Sequence, residues 1–322
     1  MLITPRPGTD RRNIRDALNN AYTTAENLRG NPDGSAYSRL LRYLTWATDT
    51  AGALRHQISD ADIDQLVLTR RYHVLLGGCG SLAGTAQESL VNGLVDLELF
   101  ERVRTIAEAR QALEARIGRW NGLEHFVVAD SSFYCHNPEK LADVDLHAVL
   151  GLESRESVRL LFPIAVVDEL DALKESAKQP ARWRASHTLG LLDELLSGGT
   201  FGVWREAAAL EGGGVGGEVN VEIVLDRPGH VRLPIADDEI IDRAVGIQSL
   251  AARPVRLLTC DTGQHTRGCA AGLPVTKIPA KAPGPEPEPP ASNEPGSGTR
   301  AQRRERQRTT GGEPALVKEQ RS

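Results

Sequence analysis

Phe126-Val127-Val128-Ala129-Asp130-Ser131-Ser132 is the stretch that decides the fold. Four apolar residues run into a carboxylate and then into two hydroxyls. A short, fully apolar run of this kind reads as a central strand of a parallel sheet, buried on both faces. In open α/β sheets, ligands bind beyond the carboxyl ends of the strands. Asp130 stands at such an end, so the reading of the chain turns on which other acids occupy equivalent places.

Downstream, Leu161-Phe162-Pro163-Ile164-Ala165-Val166-Val167 reads as a second buried strand, with Asp168-Glu169-Leu170-Asp171 opening a helix after it. Helix is expected near 139–150, over 182–196 and over 237–250. Strands are expected at 201–204, 219–225, 255–260 and 275–278. Strands alternating with helices imply a parallel sheet with helices on both faces. The stretch from 212 to 231, which begins with a glycine run, reads as an insertion. That run lacks the Gly-Lys-Ser/Thr of a phosphate loop.

Upstream, the period is helical. A helix is expected over 10–28, and Leu40, Leu41, Leu44 and Ala47 keep helical spacing. Another helix should start at Ser59 and stop at Gly77-Gly78. Leu90 to Ile117 reads as one or two amphipathic helices. Beyond residue 279 the chain turns to Pro, Gly and Arg with few apolar residues, a composition of disorder. Three parts result: a helical module at 1–122, an α/β domain at 123–279 and a tail at 280–322. The helical module packs on itself or on the next domain, or buries its stripe on a protein partner or a second copy.

The chain has 322 residues and a formal charge of −5, which argues against a uniformly cationic surface but not a local basic one. The four cysteines form no Cys-x-x-Cys pair, so a structural zinc site is not expected. With no secretory segment and no long apolar run, the expectation is a cytoplasmic protein without a membrane span.

Asp130 and Asp261 each end an apolar strand. Glu169 follows the second strand, and Asp237-Asp238 open a later helix. Parallel strands would bring these acids to one edge of the sheet. Gathered carboxylates repel one another and call for a divalent cation, and an oxygen-only set suits Mg²⁺ or Mn²⁺. Such a site can activate water against a phosphodiester. Each acid also has a plain structural reading: Asp237 or Asp238 as a helix cap, Glu169 as a first-turn dipole partner. A dehalogenase-type phosphatase would need an acid where Ser132 stands. A receiver domain would need a lysine after Leu257-Leu258, and none is there. Lys174, Lys178, Arg182 and Arg184, with Trp183 among them, form either a solvated helix face or a surface for phosphates and a stacked base.

Four blocks carry a resemblance: Val127-Val128-Ala129-Asp130-Ser131-Ser132-Phe133; Val166-Val167-Asp168-Glu169-Leu170-Asp171; Asp237-Asp238-Glu239-Ile240-Ile241-Asp242; and Leu257-Leu258-Thr259-Cys260-Asp261. In content and order they resemble the acidic blocks of the PIN-domain nucleases, nearest to those found alone or attached to PhoH-type ATPases. The resemblance implies a metal-dependent ribonuclease hydrolysing single-stranded or structured RNA. Asp130, Glu169, Asp237 and Asp261 would be the catalytic and metal-binding acids, with Asp238 the alternative in the third block. Ser131, Lys174, Lys178, Arg182 and Arg184 would contact substrate. Two other readings stand beside it: a non-catalytic RNA-binding or scaffold protein, and the toxin of a toxin–antitoxin pair.

Overall fold

A computed structural model describes residues 3–31, 34–82, 86–175, 179–209 and 215–279. The tail at 280–322, Lys178 and the glycines at 212–214 lie outside the described residues.

Helices come first. Asp10, Ser35 and Ser59 each turn a side-chain oxygen back onto an early backbone N–H, fixing the starts of α1 (Arg11–Gly30), α2 (Ala36–Leu54) and α3 (Asp60–Leu66). The helix expected to run from Ser59 to Gly77-Gly78 is two helices. α3 ends at Leu66, and α4 (Arg70–Leu82) passes straight through the two glycines. Glycine weakens a helix by about 1 kcal/mol relative to alanine, which neighbouring packing can offset. One long helix, α5 (Glu88–Arg119), buries Val91, Val95, Leu99, Val103, Ile106, Leu113 and Ile117. Glu98, fully buried, accepts from Thr69 Oγ1 at 2.6 Å and lies against Arg71 and Arg102. Arg71 therefore belongs to an ion network with Glu98 and Glu101.

The α/β part then runs β1 (His125–Ala129), α6 (Ser131–His136), a 3₁₀ turn at Leu141–Asp143, and α7 (Leu146–Leu150). It continues through β2 (Val158–Pro163), α8 (Ile164–Lys174), α9 (Gln179–Leu196), β3 (Phe201–Arg205) and β4 (Val219–Val224). It ends with α10 (Ala236–Ala251), β5 (Val255–Thr259), α11 (Thr262–Ala270) and β6 (Val275–Lys277). Among the described residues the sheet has the strand order β3-β4-β2-β1-β5-β6, all parallel except β3, which runs antiparallel to β4.

Two further expectations are corrected. The second strand stops at Pro163, and Ile164-Ala165-Val166-Val167 is the first turn of α8. Proline at a helix start needs no N–H partner, and packing overrides the β-preference of the branched residues. Glu169 thus lies in the second turn of a helix, beyond the first-turn dipole role. The stretch read as an insertion also contains a core strand. β4 pairs in register with β2 over six residue pairs, and Val219, Val221 and Val224 are buried.

The hydrophobic core is continuous from Ile3 in the helical region to Leu273 near the last strand. Trp120 packs edge-on against Phe126 with ring centroids 5.6 Å apart. Arg119 Nε donates to Glu222 Oε1 of β4 at 2.8 Å, and Arg11 Nη1 to the Leu250 carbonyl at 3.0 Å. Among the described residues no helix is long and apolar enough to cross a membrane.

Candidate active site

The chain leaves β1 toward β2 on one side and later returns through β5 on the other. A strand-order reversal of this kind opens a crevice at the carboxyl ends of the two strands. Asp130 follows β1 and Asp261 follows β5, so these two acids flank that crevice.

Asp130 is 3 % exposed and caps α6, accepting the Phe133 N–H at 3.0 Å. Its carboxylate takes the Ser132 hydroxyl at 2.7 Å and the Thr259 hydroxyl at 2.7 Å. Each hydroxyl is itself the acceptor of a backbone N–H from the end of β5. Ser132 Oγ accepts from Cys260 N at 2.9 Å, and Thr259 Oγ1 from Asp261 N at 2.9 Å. Asp130 is therefore tied to the turn carrying Asp261 by two hydroxyl relays. Asp261 caps α11, accepting the Gln264 N–H at 2.8 Å.

Glu169 approaches from α8, half-buried, with the Ser131 side chain favouring its ionised form. Asp237 and Asp238 lie in the first turn of α10, where the helix dipole favours negative charge. Arg267 of α11 pairs with both, reaching Asp238 Oδ1 at 3.5 Å and lying closer to Asp237.

Electrostatics show which acids share a field. Burial raises the Asp130 carboxyl above its ordinary range, against the three hydrogen bonds that lower it, and Asp237 adds repulsion. Glu169 is raised by burial and then by Asp237 and Asp130. Asp237 is raised by burial and by Asp261 and Asp238, with Arg267 opposing. Asp237 is the acid that links Asp130, Glu169 and Asp261, whereas Asp238 acts on Asp237 alone among the site carboxylates whose shifts are resolved. An all-oxygen set whose members resist ionising together fits a hard divalent cation chemically.

The acids are gathered loosely. Among the described residues, the one group of three whose ligand atoms all lie within 4.8 Å of one another is Asp226, His230 and Glu239. Arginine already neutralises that group. Arg243 Nη2 lies 2.9 Å from Asp226 and 3.1 Å from Glu239, Arg232 Nε lies 2.6 Å from Asp226, and His230 Nε2 lies 2.7 Å from Glu239. It is an ion-pair network at the base of the loop between β4 and α10. A cavity of about 1030 Å³ opens at the other end of the strands beside His125 and Arg256, away from the acids.

The basic residues fall on or near α9. Lys174 ends α8, exposed, with Asp171 at 3.9 Å. Arg182 is exposed. Arg184 donates to the Pro138 carbonyl at 2.9 Å. Burial raises the Cys135 thiol, with Arg184 opposing and Asp130 and Glu169 adding to the rise. Trp183 is 54 % exposed, its indole stacked on His187 at 5.2 Å and 5°.

The structural roles of Thr259 and Gln264 were not drawn from the sequence. Gln264 is fully buried between Asp261 and the Asp237 carbonyl, which it approaches at 3.5 Å. The one available signal is Thr259 two residues before Asp261. Its partner Asp130 is 129 positions away and cannot be read from local spacing.

Residues 127–278 match the family model of the PIN domain. PIN domains are generally nucleases. No curated protein gives a significant match to the chain.

Proposed function

We propose, taking residues 127–278 as a PIN domain, that the protein is a divalent-metal-dependent endoribonuclease whose site is Asp130, Glu169, Asp237 and Asp261. The carrying observation is Asp130, buried at the end of β1 and locked to the Asp261 turn, with burial raising Asp130, Glu169 and Asp237 and Asp237 adding repulsion to the first two. A Mg²⁺ or Mn²⁺ ion held by these acids would supply charge neutralisation and an activated water for phosphodiester hydrolysis.

The chain's own residues do the positioning. Asp130 receives three donors and cannot rotate away. Thr259 carries its orientation to the Asp261 backbone. Ser131 favours the ionised form of Glu169, the half-buried acid suited to align a nucleophile. Arg267 holds Asp237 at the start of α10. Trp183 offers a flat face to an unpaired base, and Arg182 and Lys174 offer charge to flanking phosphates. A flat stacking face on α9, the helix packed against α6 and α8, favours single-stranded RNA over a duplex.

Calorimetric titration of Mn²⁺ into the full chain tests this reading, with Asp130→Asn as control. Binding by the wild type that the variant loses supports it. Equal binding by both, or none, removes these acids from the metal site.

A further inference from the structure

A second charged site lies where the last turn of α5 meets the end of β4 and the middle of α10. A cavity of about 80 Å³ opens there, its charged lining formed by Arg116, Arg119, Arg227 and Arg243, with no carboxylate in the wall. Leu225 and Ile247 close the apolar side.

Two of the four arginines are neutralised. Arg119 pairs with Glu222, and Arg243 with Asp226 and Glu239. The other two bind only neutral oxygens: Arg116 donates to the Ile3 carbonyl, and Arg227 Nη1 to Thr4 Oγ1 at 2.7 Å. Neither forms an ion pair among the described residues, and Arg227 Nε is buried without a partner. Asp242, Asp62 and Glu239 act on Arg227 from a distance; Asp62, which also acts on Arg116, is engaged by Thr4 N and Ser59 Oγ at 2.7 Å each. Burial pushes the Arg116 guanidinium down to about 10, and Arg227 and Arg243 push it the same way. Two half-buried cations beside a shared cavity are stabilised by a counter-anion. The guanidinium fork matches the oxygens of phosphate. A volume of about 80 Å³ equals roughly two or three bulk waters. It admits one tetrahedral oxyanion and excludes a nucleoside.

We infer that this arginine-lined cavity binds a phosphate-class oxyanion, supplied as free phosphate or as the terminal phosphate of a nucleic-acid strand. The bound anion joins α5, the loop after β4 and α10. The same loop carries Arg232, which pairs with Asp168 beside Glu169, and leads into the turn bearing Asp237. Occupancy at this cavity therefore holds the side of the acidic centre that those residues form.

The test uses the full chain in EDTA, so that metal at the acidic centre plays no part and the outcome is independent of the nuclease reading. Inorganic phosphate is titrated at constant ionic strength set with chloride, and binding is followed by calorimetry and thermal unfolding. The expected result is a saturable rise in Tm of roughly 2–4 °C beyond that in chloride. Arg116→Gln and Arg227→Gln should each weaken phosphate binding by about tenfold or more. Arg227→Gln, which loses one bond to a threonine hydroxyl, carries the test if Arg116→Gln fails to fold. No phosphate-specific effect in the wild type overturns the inference, because the cavity then holds only water. Undiminished binding in the folded variants overturns it too, by placing the anion elsewhere. Competition by a 5′-phosphorylated oligonucleotide and not by its 5′-hydroxyl form assigns the strand end as source. Phosphate binding with no such competition assigns the free ion.

Discussion

Thr259 donates its hydroxyl to the buried carboxylate of Asp130 at 2.7 Å and accepts the N–H of Asp261 at 2.9 Å. One side chain thus couples the acid that ends the first strand to the acid that ends the fifth. Ser132 makes the parallel connection through Cys260 N, so the relation does not rest on a single bond.

Thr259→Val keeps the shape and removes the hydroxyl. It leaves the Asp261 N–H and one Asp130 oxygen a partner short, at a cost of about 1–3 kcal/mol. The expected outcome is a Tm several degrees lower and a larger loss of cleavage than of RNA affinity. Thr259→Ser should retain both. Chemical denaturation and single-turnover cleavage on the two variants check this, and equal behaviour of Val and Ser would remove the hydroxyl from the account.

The pH dependence has a definite sign. Asp130, Glu169 and Asp237 are all raised, chiefly by burial. A carboxyl with a folded pKa above its unfolded value binds more protons in the folded state. Its contribution to stability is full below the unfolded value, about 4, and is lost as pH rises through the folded value. Glu114 and Glu239 are lowered and slope the other way, so the informative quantity is a difference between variants. In EDTA, wild type should lose stability relative to Asp130→Asn as pH rises from about 4 to about 7. Mn²⁺ should restore wild type at the upper end and do little at the lower, where protons compete for the carboxylates. Parallel unfolding profiles for the two proteins would contradict this.

Trp183 is half-exposed and already held flat against His187. Trp183→Ala should weaken binding of single-stranded RNA by about 1–3 kcal/mol and leave Tm nearly unchanged. Quenching of indole fluorescence by RNA should disappear in part with it. Unaltered affinity would make the tryptophan an ordinary surface residue.

Gly217 separates a packing requirement from chemistry. A Cβ there would lie 2.1 Å from the Glu156 carbonyl oxygen, a backbone atom that cannot move aside without shifting the start of β2. Gly217→Ala should destabilise the fold by several kcal/mol. Any lost cleavage should return on cooling, which loss of a site acid would not do.

The sequence revealed much of this arrangement where local pattern and global fold agree. β1 and β5 are apolar runs stopped by an acid, and both acids stand at the crevice the strand order creates. The boundary after Pro163 was hidden because Ile164-Ala165-Val166-Val167 carries strand-like side chains, while the proline and the packing of Ala165 and Val166 make it helix. Val219–Val224 looked detachable for want of a local sign of its partner: its pairing with β2 spans some 60 residues of chain. The hydroxyl relays through Ser132 and Thr259, and the pairing of Arg267 with Asp237, join residues distant in sequence and became visible only with the strands assembled.

The most direct test of the central claim is Mn²⁺-dependent cleavage of a labelled single-stranded RNA by the full chain. It is run beside an EDTA control and the Asp130→Asn/Asp261→Asn double variant. Cutting that requires metal and falls by at least about a hundredfold in the folded variant is the predicted result. Metal-dependent cutting that survives in the variant would contradict the account by placing the chemistry elsewhere. A wild type that binds RNA but never cuts it would do so by making these acids structural.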